Sequence, residues 1–140
     1  MNKQLFWVML FSVLVGGCAE KDQYEQVVLE EMQKEQDVKD YHIDPEHMAK
    51  CVIETSYHKM PGFMPFDPDR LEAYKNYTKM LTLSHSKEPQ KTLEELRKDF
   101  GSPQKLAEAH SNFTESMMEC FAAISHEGED DDKSEDKPTS

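Results

Sequence analysis

Positive charge is scarce in this chain. Sixteen lysines and arginines stand against 28 aspartates and glutamates, for a formal charge of −12 over 140 residues. Phosphate contacts need a basic surface, so the balance argues against nucleic-acid binding. Electrostatic docking onto anionic lipid is disfavoured for the same reason. Glycine is sparse as well, with five residues. No segment alternates apolar and polar residues in strand register, and no internal repeat is evident. The sequence holds no His-x-x-x-His or Cys-x-x-Cys spacing. No nucleophile-elbow pattern marks any serine, so nothing points to a catalytic triad and the chain reads as non-enzymatic. The apolar run Leu5–Val15 is short. As a helix it would rise only ~16 Å, against the ~30 Å of a bilayer core.

What is present begins with that run. It follows a single basic residue, Lys3, and ends in Val15-Gly16-Gly17-Cys18. A basic start, a short greasy core and small residues before the cut make a signal peptide, and the arrangement resembles the signal peptide and lipobox of bacterial lipoproteins. The resemblance covers about the first 19 residues and implies nothing about the fold beyond them. It implies that the Cys18 thiol receives a diacylglyceryl group and that residues 1–17 are removed. The new amino terminus would then be acylated, for example by palmitate. Two or more acyl chains give stable anchoring without a membrane span. Ala19 stands where an aspartate would resemble an inner-membrane retention signal, so the resemblance implies an outer-membrane lipoprotein facing the periplasm.

Assigning Cys18 to lipid leaves two of the three cysteines, Cys51 and Cys120. An even pair in an oxidising envelope compartment favours a disulfide. Closing that loop would contribute roughly 4 kcal/mol by chain entropy, which matters in a domain with a limited core.

Helical periodicity runs through the rest. Asp22 to Asp40 carries Tyr24, Val27, Val28 and Met32 at helical spacing, then turns polar, and is expected to lie loosely on the domain or act as a spacer. Asp44-Pro45, Asp67-Pro68 and Ser102-Pro103 are three helix starts, each a capping side chain before a first-turn proline. The first should run to about His58 with Met48, Cys51, Val52 and Thr55 inward. The second should run to about Leu83 with Leu71, Tyr74, Thr78 and Leu81 on one face. A shorter helix from Pro89 to Asp99 presents Leu93 and Leu96, followed by Phe100, and Gly101 is its natural stop. The last, Pro103 to about Ser125, repeats Leu106, Ala109, Phe113, Met117, Cys120 and Ile124 at three-and-four spacing. Both Cys51 and Cys120 therefore fall on inner stripes. From Glu127 the acid-rich tail cannot build a core and is expected to be disordered.

Three further groups could carry chemistry. His47, Cys51, Glu54 and His58 share one side of a helix, with Met60 and Met64 close behind. Imidazole with thioether could suit copper(I), but methionine more often fills cores, and a disulfide would remove Cys51 as a ligand. The apolar loop Met60, Phe63, Met64 and Phe66 would suit a partner surface if exposed. Isolated apolar loops usually fold inward, so it is expected to plug one end of the bundle. Tyr74 and Tyr77 beside Lys75 and Lys79 are core and rim rather than a base-stacking surface, given the charge balance.

The fold class is thus all-α, a small bundle of four or five helices with one inter-helix disulfide, a signal peptide before it and an acidic disordered tail after it. The organisation reads as 1–17 signal, 18–43 anchor, tether and loose first helix, 44–126 helical domain and 127–140 tail. The function expected is a lipid-anchored envelope lipoprotein that binds another protein. Alternatives are a periplasmic copper or zinc binder using His47, His58 and Met60, or an acidic inhibitor or immunity lipoprotein. No cofactor is implied beyond the covalent lipid at Cys18.

Overall fold

The computed structural model describes the backbone of residues 16–134 and the side chains of residues 19–126. Residues 1–15 of the expected signal and residues 135–140 of the acidic tail lie outside the described residues, as does the side chain of Cys18. The described residues form six α-helices and no strands: α1 (Gly16–Lys34), α2 (Gln36–Asp40), α3 (Pro45–Lys59), α4 (Pro68–Leu81), α5 (Pro89–Asp99) and α6 (Pro103–Ser134), with one 3-10 turn at Leu83–His85. The count exceeds four or five because the expected first helix breaks at Glu35, whose extended backbone (φ −60°, ψ 126°) starts α2 afresh.

The three capped starts form as their residues dictate. The Asp44 carboxylate accepts from the Glu46 and His47 amides, the Asp67 carboxylate from the Asp69 amide, and Ser102 Oγ from the Lys105 amide. Each satisfies an amide that the first turn cannot pair. Gly101 ends α5 at φ 88°. His42 closes α2 at φ 56°, where the Ile43 amide donates back to the Val38 carbonyl.

The helices pack as a ring around one core. The first helix lies between α3 and α4, α3 lies between α1 and α6, and α5 touches both α4 and α6. The Cys51–Cys120 disulfide joins α3 to α6 with 5.8 Å between Cα atoms. At the centre stands Tyr24, fully buried. Its ring lies 5.5 Å from Tyr74 and 6.2 Å edge-on from Tyr77, and its hydroxyl is 2.7 Å from Ser56 Oγ.

That placement corrects the expectation of a loosely packed first helix. Tyr24, Val28 and Met32 are spaced by four, so they share one face, and all three are fully buried. The polar stretch after Met32 crosses the break at Glu35, and Val38 of α2 returns the chain to the core. The packed unit therefore begins at Tyr24 rather than at residue 44. The inward face of α4 is also broader than expected. Tyr74 and Thr78 are buried, Leu71 and Leu81 are half-buried, and Arg70, Ala73, Tyr77 and Met80 are buried beside them. Packing against α1 on one side and α5 on the other covers this wider face. The backbone of α6 continues to Ser134, past Glu127, where composition alone predicts disorder.

The loop after α3 is the other correction. Met60 is buried, but Phe63, Met64 and Phe66 are 91%, 61% and 72% exposed. The loop does not plug the bundle. Its backbone is fixed by bonds that turn these side chains outward.

Candidate functional site

The exposed loop between α3 and α4 is a braced structure. Pro61 and Pro65 restrict their own φ angles. Gly62 adopts φ +91°, and a Cβ there would lie 2.6 Å from the backbone nitrogen of Arg70. The close approach thus requires glycine, both for its conformation and for its missing side chain. Arg70, 3% exposed, donates from its guanidinium to the carbonyls of Tyr57 and Gly62, the end of α3 and the turn. Its guanidinium carbon stacks 4.0 Å from the Tyr57 ring centroid. A buried cation is tolerated here because carbonyl oxygens and an aromatic face replace water.

Asp67 ties the other side of the loop. Its carboxylate accepts from the Phe63 amide and the Asp69 amide, each at 3.1 Å. These two bonds hold its carboxyl below the usual carboxylate range. The Asp67 amide in turn donates to the Met64 carbonyl at 3.1 Å. The result is a rigid base presenting Phe63, Met64 and Phe66 to solvent.

The loop has a definite place in the bundle. Tyr24 of α1 bonds Ser56 near the end of α3, so α1 runs antiparallel to α3. Lys21, Asp22 and Glu25 of α1 line one open groove of about 780 Å³ that follows α3 from Glu46 to Tyr57 and reaches Tyr74 and the loop residue Pro65; Tyr24 also meets Tyr74 in α4. The start of α1, the end of α3 and the start of α4 thus share one end of the molecule. The helix α6 also runs antiparallel to α3, from the Lys59 ion pairs with Glu115 and Glu119, past Cys51–Cys120, to Tyr41 stacked edge-on against Phe121 at 5.0 Å. Tyr41 is 64% exposed, as is Met118 at 67%, one turn before Phe121. This second apolar spot lies beside the Cys51–Cys120 disulfide at the middle of α3, eight residues or about 12 Å along that helix from Lys59.

The histidine candidates are not brought together. His47 and His58 are both exposed. They stand three helical turns apart on α3, about 16 Å along its axis, too far to share one ion. Met60 is in the core and Cys51 is in the disulfide. Among the described residues, no group of three or more His, Cys, Asp or Glu side chains is arranged to hold a metal ion. A second groove of about 620 Å³ lies beside Lys59, Tyr77, Phe100 and Asn112. Burial pushes the Tyr77 hydroxyl up, while a hydrogen bond with Asn112 opposes the shift.

Arg70 is the residue that sequence patterns miss. It sits where an exposed first-turn cation would be read, and only the carbonyls it reaches explain its burial. Gly62 between Pro61 and Phe63 does carry a signal, since such a dipeptide marks a turn of special geometry. Among the described residues no helix is long and apolar enough to cross a membrane. No protein-family model, no curated protein and no solved structure matches the chain.

Proposed function

We propose that this chain is a lipid-anchored lipoprotein of the bacterial envelope, without enzymatic activity, that holds a partner protein beside the membrane. The observation that carries the reading is the Cys51–Cys120 disulfide between α3 and α6. Disulfides of this kind belong to oxidising compartments. The pair uses two of three cysteines, and the remaining one stands at the lipobox position. The tether raises the effective concentration of the domain near membrane-bound partners. Tyr41, Phe121 and the neighbouring Met118 offer a partner-facing surface, because aromatic and methionine side chains supply adaptable contact area.

Palmitate labelling tests the anchor. The native chain should incorporate label and fractionate with envelope membranes, and Cys18→Ala should lose both. An unlabelled chain that keeps its first methionine in the cytosol overturns the anchor. A photo-crosslinker at Tyr41 tests the partner and should repeatedly recover one defined envelope protein. Repeated recovery of none overturns that part.

A further inference from the structure

We infer that the loop Phe63, Met64 and Phe66 is a second membrane contact, which inserts beside the lipid anchor and fixes the orientation of the domain. The inference rests on the anchor reading at Cys18. Three large apolar side chains, all well exposed, project from a backbone held by Arg70, Gly62 and Asp67. They project at the end of the bundle where α1 begins, because Tyr24 of α1 meets Ser56 near the end of α3 and Tyr74 in α4. Cys18 lies less than one helical turn before Lys21 on α1. A lipid on that residue therefore brings the bilayer surface to the same end as the three side chains.

Two features favour lipid over a protein as the occupant. The loop shares one end of the bundle with the proposed anchor at Cys18, and Phe and Met side chains can partition into the acyl boundary. The charge layout agrees, because α6 runs away from this end and carries the acid-rich stretch beyond Glu127 toward the opposite one. The acid-rich stretch is therefore held off the headgroups. Two-point docking would leave the Tyr41 surface farther along α3, clear of the inserted loop.

The full chain tests this with a single fluorescent reporter. The one tryptophan, Trp7, lies in the expected signal that is cut away before Cys18, so the lipid-bearing protein carries none, and Phe63→Trp or Tyr41→Trp installs one probe at either apolar spot. Each protein is purified from membranes, its lipid at Cys18 is checked by mass spectrometry, and it is reconstituted into phosphatidylethanolamine–phosphatidylglycerol vesicles with or without brominated acyl chains. The probe at 63 should shift to the blue and be quenched several-fold more strongly than the probe at 41. Equal, weak quenching at both sites with lipid present on Cys18 overturns this inference and leaves the anchor standing. Absence of lipid on Cys18 overturns both. A photo-crosslinker at 63 that captures a protein rather than lipid in intact envelopes also overturns it, assigning the loop to a protein partner.

Discussion

The start of α1 and the loop after α3 treat apolar side chains in opposite ways. Residues 20–34 are rich in charge, yet Tyr24, Val28 and Met32 are fully buried. Residues 60–66 hold two methionines and two phenylalanines among seven, yet only Met60 is in the core. Apolar content therefore does not decide burial here; geometry does. On a helix, residues four apart form one continuous strip that a neighbouring helix can cover at once. In the loop, the bonds of Arg70 and Asp67 fix a backbone whose side chains point away from the bundle. Burying a phenylalanine is worth roughly 1.5–3 kcal/mol, and the fold forgoes this at both Phe63 and Phe66.

The sharpest way to break this contrast is Tyr24→Ala. It removes a fully buried ring packed on Tyr74 and Tyr77 and orphans part of the Ser56 hydroxyl. Large-to-small changes of this kind cost about 3–5 kcal/mol. Urea denaturation of the oxidised protein should show a loss of that size, enough to leave a small domain largely unfolded. A loss under about 1 kcal/mol would mean that α1 is peripheral after all.

Much of the architecture is legible in the sequence, and the parts that are not share a cause. The three capped starts and the inner stripe of α6 depend on local spacing, which is visible in one chain, while the pairing of Cys51 with Cys120 follows from the even count left once Cys18 is set aside. The burial of α1 depends on Val38 resuming the strip after the break at Glu35, which requires knowing that the chain turns there. The outward loop depends on Arg70 reaching back eight residues to Gly62 and thirteen to Tyr57. Neither spacing belongs to a helix or a turn, so no periodicity reports it. The lipobox-like residues and the loop are both readable as sequence, but their shared end of the bundle emerges only from the helix order in space.

A middle-sized effect should come from Gly62→Ala, which tests whether the loop is braced. The backbone there is at φ +91°, and the new Cβ meets the backbone of Arg70 rather than a movable side chain. A non-glycine residue in such a region costs about 1–3 kcal/mol. The variant should lose stability in that range by chemical denaturation, less than Tyr24→Ala. A neutral outcome would show a loop free to rearrange, and the outward side chains would then reflect no fixed design.

Alkaline pH probes the opposite pole of the contrast, the tyrosine cluster. Burial pushes the hydroxyls of Tyr24, Tyr74 and Tyr77 above the ordinary value of 10.0, with the Ser56 hydrogen bond opposing the shift at Tyr24. The folded state holds these protons more tightly than the unfolded chain does. Their contribution is therefore fully present below about pH 10 and is lost as pH rises from there toward the folded values. Thermal melts should be flat with pH up to the tyrosine range and then fall, and Tyr24→Phe should reduce the fall. A melt that stays level through the tyrosine range would place the cluster in contact with water.

The smallest effect belongs to the loop tip. Replacing both Phe63 and Phe66 by serine removes side chains that are mostly in solvent and make no hydrogen bond through their rings. The backbone amide of Phe63 still donates to Asp67, and Gly62 still meets Arg70. Surface changes of this type stay within about ±0.5 kcal/mol, so the double variant should unfold at the same urea concentration as the parent. The membrane contact proposed for the loop predicts a second effect, a lost fixed tilt of the lipid-bearing protein on vesicles with the fold intact. A large loss of stability would mean that the rings pack on the bundle in solution, and the loop and α1 would then obey one rule rather than two.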